Sequence, residues 1–374
     1  MIVVEAKAFV ERLAARGLDF FAGVPDSLLK DLCAYVTENC PARDHVIAAN
    51  EGGAVGLAAG YHLATGRAGV VYMQNSGTGN AINPLLSLAD PEVYSIPMLV
   101  VIGWRGEPGV HDEPQHVKQG RVQRALIAAL EYPCEVMAED QAEALAQVDR
   151  LLEAMREKSS PAVLLVRKGA FAPYSMKAAA APGYPMTREE AIKEIIGAMG
   201  EADRVVSTTG MASREIYELR EAAGQGHGKD FLTVGSMGHA VMIAAGLAAF
   251  RDGPVWCIDG DGAAIMHLGS MGIAARRAPS SFRHVVINNG AHDSVGGQPT
   301  IGYSLPFPAI AKELGYKAAL VAEDRAGLAA ALAELARTEG PAFLEVRVRG
   351  GARKDLGRPK TSPVENKAAF MGGL

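Results

Sequence analysis

Two short motifs carry the most chemistry. Gly260-Asp261-Gly262 and Asn288-Asn289-Gly290 stand 25 residues apart, each at the end of an apolar run, Val255-Trp256-Cys257-Ile258 and His284-Val285-Val286-Ile287. That spacing spans one helix and returns the chain to the neighbouring strand tip, where ligands of open α/β sheets gather. The Asp261 carboxylate, the Asn288 amide oxygen and the Gly290 carbonyl then lie close together. All three are hard oxygen ligands. Mg²⁺ takes few protein ligands and completes its octahedron with phosphate oxygens and water, so the set suits a metal that anchors a diphosphate.

Competing nucleotide motifs fail. The patterns starting at Gly77-x-Gly79 and Gly260-x-Gly262 reach Ile82 and Ile265 where a dinucleotide fingerprint needs its third glycine. The pair Gly228-Lys229 is followed by Asp230, so it is no phosphate-binding P-loop. A second group of residues suits an anionic substrate, because a dianion beside a carboxylate needs several cations or oriented donors. Arg105, Lys118 and Arg121 qualify. They lie near or after the strand-like run Met98 to Ile102, in what reads as a loop with Gly106, Pro108, Gly109 and Pro114. His111, His116 and His292 could relay a proton, and His292 directly follows the metal motif. Asp26, at the first strand tip, could orient a proton donor or cap the helix from Leu28.

Elements must bring these tips together, and the chain repeats itself loosely to do so. Val70-Val71-Tyr72-Met73 precedes Gln74-Asn75-Ser76-Gly77 as Val255–Ile258 precedes Asp259-Gly260-Asp261-Gly262, at an offset of 185. The first half opens with a helical pattern at Glu5 to Arg16 and a strand Phe20 to Val24. The second opens with a helix from Arg188, capped by Thr187 with Glu190 three residues on, and a strand Arg204 to Ser207. The halves close on Pro161–Arg167 and Pro341–Arg347. Continuous apolar strands alternating with helices predict two similar doubly wound α/β domains with mostly parallel sheets. The expected division is 1–172, an Ala/Pro-rich linker at 173–186 with too little apolar bulk to pack, 187–350, and a basic tail 351–374 expected to be solvated.

Composition supports a small-molecule enzyme. Lys and Arg number 37 against 42 Asp and Glu, so the formal charge is −5, and no basic stripe forms that could bind nucleic acid. Cys33, Cys40, Cys134 and Cys257 make no C-x-x-C pair and each reads as a buried thiol, consistent with a reducing cytoplasm. The N-terminus carries acid and base within seven residues, unlike a secretory signal. The most membrane-like stretch, Phe231 to Phe250, holds three glycines and reads as loop plus buried helix.

The two motifs and their spacing resemble those of the thiamine-diphosphate-dependent decarboxylase family. The resemblance runs through Phe20–Lys30, Tyr72–Gly77, Gly103–Arg121 and Asn288–Thr300, and covers essentially the whole chain. Larger members insert a middle domain, for which this linker leaves no room. The chain is similar to the two-domain subset that decarboxylates phosphonopyruvate or sulfopyruvate. The resemblance implies thiamine diphosphate and Mg²⁺ as cofactors, a pyrimidine-binding first domain and a diphosphate-binding second. It implies Asp261, Asn288 and Gly290 as metal ligands. Thr208, Thr209, Gly210, Gly260, Gly262, Ala263, Ala291 and His292 are implied around the diphosphate. Glu51 is implied to hydrogen-bond the pyrimidine ring, Met237 to support the bent cofactor, and the Gly235 carbonyl to receive the 4′-amino group. Asp26, Ser27, Asn75, Arg105, His116, Lys118 and Arg121 are implied at the substrate, with Asp26 and His292 moving protons. The reaction implied is conversion of 3-phosphonopyruvate to phosphonoacetaldehyde and carbon dioxide in phosphonate biosynthesis, by a cytoplasmic homodimer or larger assembly with sites between subunits. Sulfopyruvate decarboxylation, acetohydroxyacid-type carboligation and a non-catalytic cofactor-binding subunit are the alternatives.

Overall fold

The computed structural model describes residues 3–177 and 182–374. The chain divides into two compact units, Met1–Ala178 and Ala179–Leu374, each built on a six-stranded sheet. In the first unit the strands are β1 (Phe21–Gly23), β2 (His45–Ile47), β3 (Gly69–Gln74), β4 (Met98–Gly103), β5 (Cys134–Val136) and β6 (Ala162–Val166), in the order β2-β1-β3-β4-β6-β5. The second unit has β7 (Arg204–Ser207), β8 (Asp230–Leu232), β9 (Val255–Gly260), β10 (Phe282–Asn288), β11 (Ala318–Ala322) and β12 (Ala342–Arg347), in the order β11-β12-β10-β9-β7-β8. Read from the opposite edge, the second order is the first repeated. Strand pairs are parallel in both sheets, as the continuous apolar runs require.

Each sheet is covered on both faces. Val70, Tyr72, Leu99 and Val101 pack into one core with Phe9, Leu13 and Leu151. Their strand neighbours Val71, Met73, Val100 and Ile102 point the other way, to Val55, Ala58 and Ile127. Val205, Ile258 and Val285 meet Ile192 and Leu328 on one face of the second sheet, while Val206, Cys257 and Val286 meet Ala244 and Phe307 on the other. Local signals set the helix starts. Thr187 and Glu190 form a reciprocal capping box on the helix Arg188–Gly197, and Asn50 accepts from the Gly53 amide at 2.8 Å to start the helix Glu51–Thr65.

The switch in strand order matters most for the site. The chain passes from β1 outward to β2, then returns to β3 on the other side, opening a crevice beyond the carboxyl ends of β1 and β3. Asp26 follows β1 and Asn75 follows β3. In the second sheet, Thr208 follows β7 and Asp261 follows β9 in the equivalent places.

Several expectations need correction. The segment 173–186 is not a bare linker: Tyr174 stacks edge-on against Tyr35 and donates to Glu38 Oε2 at 2.7 Å, and Tyr184 packs on Tyr303. Its residues 178–181 lie outside the described ones. Cys134 is exposed, because β5 is a sheet edge. Residues 230–232 form the short strand β8 before the buried helix Ala240–Ala249. Among the described residues no helix is long and apolar enough to cross a membrane.

The basic tail also folds. Ser362 and Glu365 form a capping box on the helix Pro363–Gly372, which turns Phe370 onto Phe231. Asn366 accepts from the Leu232 amide at 3.1 Å and donates to the Asp230 carbonyl at 3.0 Å, both on β8. Asn366→Ala strands two buried backbone groups, so a loss of about 1–3 kcal/mol is expected, read as a lower midpoint in thermal or urea unfolding. An unchanged midpoint would mean the helix is dispensable to the unit.

Candidate active site

In the first unit, Glu51 opens its helix with only 5 % of its surface exposed. Asn80 Nδ2 donates to its Oε2 at 2.8 Å. Its Oε1 lies over Gly77, where a methyl group would collide with the carboxylate, so position 77 is bare for the sake of this side chain. Asp26 is fully buried at the β1 tip. Burial pushes its carboxyl above the usual range, against the opposing hydrogen bonds from Gln74 and the Leu28 amide. Those bonds measure 2.6 Å from Gln74 Nε2 to Oδ1 and 3.0 Å from the Leu28 amide to Oδ2. Asp26 therefore both caps the turn at Leu28 and orients Gln74, which in turn accepts from Ser76 Oγ at 2.7 Å.

Asn75 ties the β3 tip to the β4 tip: its Nδ2 donates to the Arg105 carbonyl at 2.8 Å and its Oδ1 accepts the Arg105 amide at 3.2 Å. Arg105 Nη1 donates to Ser27 Oγ at 2.7 Å, bringing Asp26, Ser27, Asn75 and Arg105 into one network. Arg105 is not the free cation expected. Its Nε and Nη2 both bond the Asp112 carboxylate, with Nε at 2.8 Å. Burial alone would raise the Asp112 carboxyl, but Arg105 and the amides of Glu113 and Gly106 hold it far below the usual carboxylate range.

Lys118 and Arg121 depart further from expectation. Pro114 starts the helix Pro114–Ala129 at its first position instead of prolonging a loop, so both residues sit on that helix and are exposed. His116, on the same helix, is buried with no hydrogen-bond partner at Nδ1, and burial with the nearby Arg105 charge keeps its imidazole neutral more readily. His111 is exposed.

In the second unit, Thr208, Thr209, Asp261, Gly262, Ala263 and His292 line one cavity of about 100 Å³. Met237, Gly260, Ala291 and Arg188 are also among the residues of its wall. Thr208 Oγ1 is buried there without a hydrogen-bond partner, an unmet donor of the kind a phosphate oxygen would satisfy. Gly210 starts the adjacent helix Met211–Ala222. Ser236 and Gly238 take left-handed conformations, with φ of 54° and 83°, on either side of Met237. The Met237 methyl comes to 3.4 Å, and His292 Cε1 to 3.0 Å, from the point where a Gly262 side chain would start. Gly235 belongs to the same loop between β8 and the helix Ala240–Ala249.

The oxygen set meets the demands of a cation. Asp261 is 2 % exposed and no Lys or Arg pairs with it among the described residues. Burial pushes its carboxyl up to about 6, against the Thr300 hydroxyl that donates to Oδ2. Asn288 is buried and spends its amide N–H on Glu345 Oε1 at 2.7 Å, which fixes the oxygen in the opposite direction. A side chain at Gly302 would start 2.6 Å from Asn288 Oδ1 and collide with Asp261 Oδ2, so the two oxygens converge on one small space. The Gly290 carbonyl accepts the Thr300 amide at 2.9 Å and keeps its second lone pair. Two hard oxygens facing an uncompensated buried volume fit Mg²⁺, and the neighbouring amides and Thr208 hydroxyl fit a diphosphate.

Burial lowers the His292 imidazole to about 4, with Asp293 opposing, so near neutral pH it acts as a neutral ring and not as an imidazolium acid. Sequence reasoning missed Gln74, Asn80 and Asp112 in the first unit, and Thr300, Gly302 and Glu345 in the second. Gln74, Asp112, Thr300 and Glu345 lay inside stretches singled out in the sequence without a role of their own, whereas Asn80 and Gly302 lay outside all of them.

Known proteins decide the family. The model for "Thiamine pyrophosphate enzyme, N-terminal TPP binding domain" matches residues 5–127, and that for "Thiamine pyrophosphate enzyme, C-terminal TPP binding domain" matches 208–346. A phosphonopyruvate decarboxylase from Streptomyces hygroscopicus is 34% identical over 98% of this chain and 93% of its own length. This chain is a thiamine-diphosphate-dependent decarboxylase. A second phosphonopyruvate decarboxylase, from Streptomyces viridochromogenes, is 33% identical over 98% of the chain and 94% of its own. A sulfopyruvate decarboxylase from Methanosarcina acetivorans is 26% identical over 80% of the chain and 79% of its own. The decarboxylase uses thiamine diphosphate. Between the two family matches lie β5, β6 and the start of the second unit, with no middle domain among the described residues.

Proposed function

We propose that this decarboxylase converts 3-phosphonopyruvate to phosphonoacetaldehyde and carbon dioxide, with Mg²⁺ holding the diphosphate, as a homodimer or larger assembly that serves phosphonate biosynthesis. The observation that carries the substrate is the likeness along nearly the full length to two proteins named for that reaction. Thiamine diphosphate, when bound, supplies the electron sink that the departing carboxylate requires.

The protein supplies geometry and proton control. Glu51 would hydrogen-bond the pyrimidine through Oε1, since Asn80 occupies Oε2. Asp261, Asn288 and the Gly290 carbonyl would hold Mg²⁺, while Thr208, Thr209 and Gly210 bind the diphosphate. Ser27, Asn75 and Arg105 form the rigid part of the substrate end, Asp26 orients Gln74 there, and His116, Lys118 and Arg121 lie along the following helix. His292 serves as a neutral proton relay.

One observation favours sulfopyruvate as the second reading. Asp112 offsets the Arg105 charge, and the reduced positive charge suits a monoanionic sulfonate better than a dianionic phosphonate. Carbon dioxide release from phosphonopyruvate, sulfopyruvate and pyruvate under one set of conditions separates the readings. Phosphonopyruvate is expected to lead in kcat/KM by more than about tenfold, roughly 1.4 kcal/mol of transition-state discrimination. A lead for sulfopyruvate would reverse the assignment.

A further inference from the structure

Arg188, the first residue of the helix Arg188–Gly197, is 7 % exposed and shares the cavity wall with Thr208, Asp261 and His292. Its Nε and Nη2 donate to the two carboxylate oxygens of Glu215 at 2.8 and 2.9 Å. Its Nη1 donates to Asp293 Oδ2 at 3.0 Å. Glu215, 1 % exposed, lies in the helix Met211–Ala222 that continues directly from Thr208-Thr209-Gly210. Asp293 Oδ2 also accepts from Asn289 Nδ2 at 2.6 Å and from the Gly351 amide at 2.9 Å.

One guanidinium thus links the helix behind the diphosphate loop to the loop that carries Asn288 and Gly290. Asn289 lies between these two oxygen-bearing residues, so anchoring its side chain on Asp293 fixes both neighbours. A planar fork suits this work, because its donors leave at set angles and bond one carboxylate through two parallel contacts. A lysine supplies a single mobile point charge and cannot satisfy both carboxylates in the same geometry.

We propose that Arg188 is a positioning residue that sets the spacing between loops 208–210 and 288–294 through Glu215 and Asp293, and thereby tunes affinity for the Mg²⁺–diphosphate pair. This rests on the reading that these two loops hold the metal and the diphosphate. The carbon chemistry at the other end of the cofactor lies outside its reach. Breaking the fork therefore raises the cofactor dissociation constant and leaves the saturated rate in place.

The test is calorimetric titration of thiamine diphosphate into the purified full chain at several Mg²⁺ concentrations, with Arg188→Lys, Asp293→Asn and Asp261→Asn beside the parent. Arg188→Lys and Asp293→Asn are expected to weaken binding at least about tenfold at limiting Mg²⁺, with partial recovery at high Mg²⁺ by mass action. Their kcat at saturating cofactor should stay within about threefold of the parent, since an interaction that only binds is lost from affinity alone. Binding within about twofold of the parent, with only a lowered unfolding midpoint, would make the fork a structural pair and overturn the proposal. Asp261→Asn keeps the two ideas apart. If it loses binding while the fork variants do not, the site reading stands and the positioning role falls; if it too binds normally, the site reading falls first. Should Arg188→Lys fail to fold, Asp293→Asn, which keeps shape and one acceptor oxygen, decides.

Discussion

Glu51→Gln should bind thiamine diphosphate with near-parent affinity and turn over roughly 10²–10⁴-fold more slowly, the usual scale for loss of a positioned acid–base group. The replacement is nearly isosteric, and Asn80 can still donate to the glutamine oxygen, so the carboxamide is expected to hold the same place over Gly77. What it loses is the capacity to exchange a proton with the pyrimidine ring. Calorimetry for binding and carbon dioxide release for rate separate these effects in one preparation. Turnover within about threefold of the parent would remove Glu51 from the reaction.

Asp261→Ala should do the opposite, abolishing cofactor binding in Mg²⁺ buffer. Loss of groups that merely support a metal ligand costs about 10–100-fold in affinity, so loss of the ligand is expected to exceed about a hundredfold. Folding gives an internal check. In the metal-free chain the Asp261 carboxylate is buried without a cation, which opposes folding, so the alanine variant should unfold at the same temperature as the parent or above it. Weak binding together with an intact or raised midpoint assigns Asp261 to the metal. Retained binding would dismiss the metal site.

Much of the scaffold was legible because it depends on local pattern. Unbroken apolar runs gave β3, β4, β9 and β10, and the loose repeat at an offset near 185 foretold two similar domains, which the matching strand orders bear out. Thr187 with Glu190 marked a helix start that the capping box confirms. Strand tips could be located in the sequence, and the residues that follow β7 and β9 line one cavity.

The misses share a physical cause: each depends on partners far apart in sequence or on a choice between two local readings. Pro114 suits a loop or a first helical turn, and tertiary packing of Gly120 against the Gly106 backbone selects the helix that carries Lys118 and Arg121 away from a loop. The neutralisation of Arg105 by Asp112 follows no periodic pattern. Glu345, which aims Asn288, is 57 residues away and reaches it only because β12 pairs with β10. The tail looked solvated because its composition is basic, while Asn366 and Phe370, together with the Arg353–Glu189 pair and the Gly351 and Gly357 amides, dock it.

That docking reaches beyond stability. β8 is the last strand of its sheet, and such a margin can recruit a strand from another molecule. The Asn366 carboxamide presents an acceptor and a donor to β8 as another backbone would, yet it cannot be extended into a further strand. The closing helix thus covers this margin of the sheet and leaves no room beside β8 for a further strand to pair with Leu232 and Asp230.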